Sequence, residues 1–130
     1  MTYRRLIYTS RVARSVRYAD AEDIALRAAA RNEQAGLTGL LLYTPSHFVQ
    51  VLEGAPREVA EAIARIGRDP RHSQLRVVDD REVDEREFAS WAMAARFCAA
   101  QSTELQQLDL GRALDLLRAA RDGAPTDGSS

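Results

Sequence analysis

The chain contains no lysine; all 18 of its basic residues are arginines. They are spread evenly and balanced by 19 acidic residues, for a formal net charge of -1. That argues against a surface built to hold nucleic acid or an anionic membrane. Cysteine occurs once, at Cys98, which excludes a disulfide framework and a cysteine-rich metal site. The two histidines, His47 and His72, have no metal-ligand spacing to Cys98 or to a carboxylate cluster, so no metal is expected. No apolar run approaches the ~20 residues of a membrane span. The opening MTYRRLIYTS lacks the long apolar core of a signal peptide, so the expected location is cytoplasmic. Phosphate-loop, dinucleotide-fold and nucleophile-elbow patterns are all missing.

What remains is an ordinary soluble composition, 45% hydrophobic over 130 residues, which suggests one domain with one core. Residues 3–10 alternate as a first strand, with Leu6, Tyr8 and Ser10 on one face and Arg5, Ile7 and Thr9 on the other. Asp20 suits the N-cap of a first helix that runs to about Ala35 and stops at Gly36. Ile24, Ala28 and Asn32 form one stripe of it. Residues 37–44 and 47–53 read as two strands joined by Pro45-Ser46. Both faces of the first of these are apolar, so both are expected to be covered. A second helix spans residues 56–68 with Val59, Ala62, Ile63 and Ile66 as its core stripe. Residues 75–83 form a more polar strand near an edge, and residues 88–98 contain a fifth, with Trp91, Met93, Ala95 and Phe97 on one face. Helical spacing returns over residues 104–121, interrupted at Gly111. The order predicts an α+β, ferredoxin-like β-α-β-β-α-β-β sheet. Two helices cover one face; short C-terminal helices, or a partner protein, cover the other.

One residue breaks the strand pattern. Gln50 shares a face with Phe48 and Leu52, so an amide occupies a core position. The same parity brings Tyr8, Trp91 and Met93 to that face, and the two helices add Ile24, Asn32, Arg65 and Asp69. This describes a pocket, apolar in the middle and polar at its edges. Asn32 and Gln50 each offer an acceptor and a donor, which suits a flat heterocycle with amide-like edges. Each residue also has a plain structural reading. Tyr8, Trp91 and Met93 are ordinary core residues, Asn32 belongs to a helix end, and Arg65 with Asp69 makes an i, i+4 surface pair. Cys98 has the opposite parity and points away.

The pieces LIYTSR, RNEQAGLTGLLLY, FVQVLEG, RIGRDPRH and REFASWAM, in that order and spacing over residues 3–97, resemble the BLUF domains, blue-light receptors that use FAD. The resemblance implies a flavin-binding domain over residues 1–98 and a helical cap over 99–121, as in short stand-alone members, and the composition of residues 122–130 predicts a disordered tail. It implies that FAD is held non-covalently by Ile24, Asn32, Phe48, Gln50, Arg65, Ile66, Asp69 and His72. Tyr8 matches the tyrosine that gives an electron to the excited flavin. Gln50 matches the glutamine whose hydrogen bonds then rearrange, by rotation or by tautomerisation. Trp91 and Met93 match the pair that passes the signal outward. A photosensor rather than an enzyme is implied, acting on an unidentified downstream signalling protein and self-associating as a homo-oligomer. Many members carry two consecutive asparagines where this chain has Arg31-Asn32.

Two other classes compete. A cofactor-free dimeric interaction module on the same sheet would explain an apolar second face. An acylphosphatase-like enzyme needs a phosphate-cradling loop after the first strand; Arg11 and Arg14 are there, but the glycine-rich turn is missing. A thiol-adduct flavin photoreceptor is disfavoured by the parity of Cys98.

Overall fold

A computed structural model describes residues 2–13, 17–89 and 94–123. Five strands form one sheet in the order β4-β1-β3-β2-β5. They are β1 (Tyr3–Val12), β2 (Thr38–Tyr43), β3 (His47–Gly54), β4 (His72–Val83) and β5 (Ala94–Phe97). β1 runs antiparallel to both β3 and β4, β2 antiparallel to β3, and β5 parallel to β2. The four-strand core is the expected ferredoxin-like sheet, β5 is the added strand, and β4 is an edge as anticipated. Four helices accompany it: α1 (Tyr18–Gln34), α2 (Pro56–Arg68), α3 (Ser102–Gln106) and α4 (Leu110–Arg121).

Alternation along the strands divides the core as predicted. Leu6, Tyr8 and Leu52 pack with Ala29 of α1 and with Val59, Ala62 and Ile66 of α2. Val12, Leu41, Tyr43 and Phe48 extend that layer against Ile24 and Ala25. On the opposite face, Ile7, Leu40, Leu42, Val49 and Val51 meet Leu105, Leu108, Ala113, Leu116 and Leu117. The C-terminal helices are therefore the cover of the second face, and Cys98 lies among them, away from α1 and α2.

Three local expectations need correction. Asp20 is not the N-cap of α1; Arg17 occupies that position without a side-chain cap bond, and Asp20 lies in the first turn, 3.5 Å from the Arg17 guanidinium. The acid still meets the positive end of the helix dipole there. Second, the C-terminal helices do not break at Gly111. α3 ends at Gln106, and Asp109 starts α4 by accepting from the Arg112 backbone N–H at 2.8 Å, leaving Gly111 inside the first turn. Third, β4 starts at His72, three residues earlier than the alternation implied. The expected tail lies mostly outside the described residues, as do Trp91 and Met93.

Candidate functional site

The end of α1 sets one side of the site. Gly36, at φ 77°, closes the helix with paired bonds: its own N–H to the Glu33 carbonyl at 3.0 Å and that of Leu37 to the Asn32 carbonyl at 3.0 Å. This is a Schellman motif, and it uses a residue free to adopt positive φ. It holds Asn32 on the inner face of α1, 1% exposed. Across the gap Arg65 of α2 donates from Nη2 to Asn32 Oδ1 at 3.1 Å.

The sheet supplies the floor. Tyr8 and Gln50 are direct cross-strand partners in the β1–β3 register. Both are buried, and the Tyr8 hydroxyl donates to Gln50 Oε1 at 2.6 Å. Burial raises the Tyr8 pKa well above the usual phenol value, with the Asp69 carboxylate adding to the effect. The hydroxyl is thus held protonated and is a donor. The other end of the amide is different. Gln50 Nε2 is buried and finds no acceptor among the described residues. An unpaired buried amide donor costs about 1–3 kcal/mol. Flipping the amide would let the Tyr8 oxygen accept from the NH₂, but the hydroxyl proton and Gln50 Oε1 would then both lack a partner among the described contacts. Arg65 Nε is a second buried donor on the same side of the sheet without a partner among the described residues.

Phe48 is fully buried next along β3, and the His72 ring lies against it at 4.8 Å between centroids. Ser10 Oγ sits 2.8 Å from His72 Nδ1. Burial lowers the His72 pKa, opposed in part by Asp69, so the ring is neutral near pH 7 and can share a proton with Ser10. Above this floor a narrow cleft of about 110 Å³ opens between α1 and α2. Ile24, Arg65, Ile66, Asp69 and His72 line it, five of the eight residues expected to hold a cofactor. Asn32 lies behind Arg65, while Phe48 and Gln50 are the sheet residues beneath.

The expected Arg65–Asp69 surface pair does not form. Arg65 turns inward to Asn32, and Asp69 is held instead by Arg71 through a two-pronged contact at 2.6 and 2.9 Å plus the Arg71 backbone N–H. Those bonds from Arg71 bring the Asp69 pKa down from 3.8 to about 2. A carboxyl whose pKa falls on folding adds stability above its unfolded pKa, and that stability is lost as pH falls through the folded value. Arg71 is 41% exposed, so solvent screening limits the contribution to about 1 kcal/mol. Between pH 5 and pH 2, wild type is expected to lose that increment and Asp69→Asn to lack it. Urea denaturation at the two pH values measures it; equal losses in both proteins would refute the assignment.

Residue order alone does not bring Arg71 or Arg27 to the site; Arg31, which stands where many family members have an asparagine, lies with Arg27 on the rim of the cleft. Arg31 sits close enough to Arg65 to help burial lower its pKa. The i, i+4 spacing of Arg27 and Arg31 was the available sequence signal, since it puts both on the Asp23 edge of α1. Among the described residues no group of three or more His, Cys, Asp or Glu is placed to hold a metal ion.

The family model for sensors of blue-light using FAD matches residues 3–94. Photoactivated adenylate cyclase subunit beta of Euglena longa is 34% identical over 91 residues, which are 69% of this chain and 11% of that protein. The blue light- and temperature-regulated antirepressor BluF of Escherichia coli (strain K12) is 33% identical over 117 residues, 90% of this chain and 27% of that one. The chain thus spans only a minor part of either relative. Among solved structures, BlrB, a BLUF protein in its dark state, superposes with a TM-score of 0.77 at 29% identity, covering 93% of this chain and 96% of that one. The chain belongs to the BLUF family, the sensors of blue light that use FAD.

Proposed function

We propose that the chain is a blue-light photosensor that binds FAD between α1 and α2 and has no catalytic turnover of its own. The observation that carries this reading is the buried Tyr8–Gln50 pair: a 2.6 Å hydrogen bond at one end of the amide and an unsatisfied donor at the other. A flavin ring presents carbonyl and imine acceptors, so Gln50 Nε2 and Arg65 Nε fit such a group. Ile24, Phe48 and Ile66 would supply apolar contact. Asn32, Arg65, Asp69 and His72 would supply polar edges.

Bound FAD supplies absorption of blue light and an excited state that takes up an electron. Tyr8 is the donor. Its burial disfavours both a tyrosinate and a charged radical, so loss of the electron is coupled to loss of the hydroxyl proton. That proton has an acceptor at hydrogen-bond distance, Gln50 Oε1. Protonation there would let the amide exchange its donor and acceptor ends, by rotation or by tautomerisation, and return of the electron and a proton to Tyr8 would restore the phenol and leave Gln50 in the exchanged arrangement. Gln50 then donates a stronger hydrogen bond toward the pocket, which shifts absorption to the red. Trp91 and Met93 would carry the change outward. They precede Ala95 with the same parity, and Ala95 packs on the Ile24–Leu41–Phe48 cluster. The recipient would be a downstream signalling protein, and the chain would act as a cytoplasmic homo-oligomer.

The cofactor-free alternative would explain an apolar second face, and α3 and α4 already pack on that face. The test is an absorbance spectrum. Protein expressed with ample FAD is expected to be yellow, to shift slightly to the red under blue light and to recover in the dark. Colourless protein would favour the interaction module.

A further inference from the structure

The second face of the sheet buries a carboxylate that the light-driven chemistry does not use. Glu53 lies on β3, three residues beyond Gln50 and on the opposite side of the strand, with 0% exposure. Its two oxygens accept the backbone N–H groups of consecutive residues: Phe88 to Oε1 at 2.6 Å and Glu87 to Oε2 at 2.9 Å. Burial raises its pKa, and the two N–H bonds oppose that rise. Its cross-strand neighbour Arg5 is also buried. Arg86 adds a bond from Nη1 to the Glu53 carbonyl at 3.4 Å.

Residues 87 and 88 are tied equally firmly on their other side. The Glu87 carboxylate receives Arg118 through Nε at 2.7 Å and Nη2 at 2.8 Å, and Arg121 at 3.0 Å. Phe88 is fully buried among the α4 residues, and the Arg121 guanidinium lies over its ring at 5.3 Å. A buried carboxylate is an expensive way to satisfy two backbone donors. Only a carboxylate, however, offers two acceptors and no donor to adjacent N–H groups. Here it clamps one short segment to the Gln50 strand, while the next side chain clamps the same segment to α4.

We infer that Glu53 is a positioning residue: it fastens residues 87–88 to β3, and through Glu87 it couples the strand of Gln50 to α4. The coupling half rests on the photosensor reading; the fastening half does not. Without this clamp, a change at Gln50 still occurs but reaches α4 through apolar packing and the longer 3.6 Å Arg5–Glu87 ion pair alone among the described contacts.

Amide hydrogen exchange on the full, FAD-loaded chain tests both halves. In the dark, Glu53→Gln is expected to speed exchange of the Glu87 and Phe88 amides at least about tenfold, since each loses a charged acceptor. Glu87→Gln, which leaves the Glu53 clamp intact, is expected to speed exchange along α4 instead, and it serves if Glu53→Gln fails to fold. Under blue light, wild type is expected to change exchange in α4; both variants are expected to keep the red shift yet lose most of that change. Unaltered dark exchange at residues 87 and 88 in Glu53→Gln overturns the fastening. A wild-type-sized light response of α4 in both variants overturns the coupling. A wild-type chain with no red shift overturns the photosensor reading and the coupling with it, and leaves the fastening to be judged by the dark exchange.

Discussion

Gln50→Ala is expected to abolish the light-induced red shift while leaving FAD bound. The substitution removes the only acceptor within reach of the Tyr8 hydroxyl among its described contacts, so the phenol proton has nowhere to go. It also removes the donor that would strengthen the bond to the flavin. Tyr8→Phe is expected to give the same loss from the other side of the bond. Affinity should fall far less than function. One hydrogen bond is worth about 1 kcal/mol, or about fivefold in binding, and the α1–α2 cleft keeps Ile24, Arg65, Ile66, Asp69 and His72. Absorbance before and after blue light measures the shift, and titration with FAD measures the affinity. A full shift in Gln50→Ala would sink the mechanism whatever the affinity.

Leu117→Ala is expected to cost about 2–5 kcal/mol of stability, by lost transfer energy and by the cavity left behind. Leu117 is fully buried in the layer that joins α4 to Ile7, Leu40, Val49, Val51 and Phe88. Among the described residues, that layer is the apolar connection between the C-terminal helices and the second sheet face. The loss is expected to lower the melting temperature of the FAD-loaded protein by roughly 10 °C. Tyr8 and Gln50 lie on the other face, so the red shift should survive below the new transition. A change under about 1 kcal/mol would mean that α4 is not anchored as described.

Both expectations draw on strand parity, which was legible from residue order. Leu6, Tyr8 and Ser10 on one side and Ile7 and Thr9 on the other follow from a period of two alone. The buried amide at Gln50 was visible as a break in that period. Contacts fixed by tertiary approach were not visible. Nothing local says that Arg65 prefers Asn32, 33 residues earlier, over Asp69 one turn on. In the structure Asn32 is buried and needs a partner, while Asp69 is served by the backbone and side chain of Arg71 as the chain leaves α2. Glu53 was equally hidden. It reads as a polar strand end, and its partners are backbone groups 34 and 35 residues away, which leave no mark in side-chain pattern. The start of α4 was recoverable, because Asp109 stands three residues before the N–H it caps. Gly111 drew the break instead, although glycine is tolerated in a first turn.

The central claim is that Gln50 records the photon by exchanging its hydrogen bonds. Light-minus-dark infrared difference spectroscopy on FAD-loaded protein made with ¹³C-carbonyl glutamine tests it most directly. Glutamine amide bands are expected to move with the label in the difference spectrum, and to vanish in Gln50→Ala. Difference bands that ignore the label, in a protein that still shifts to the red, would contradict the account.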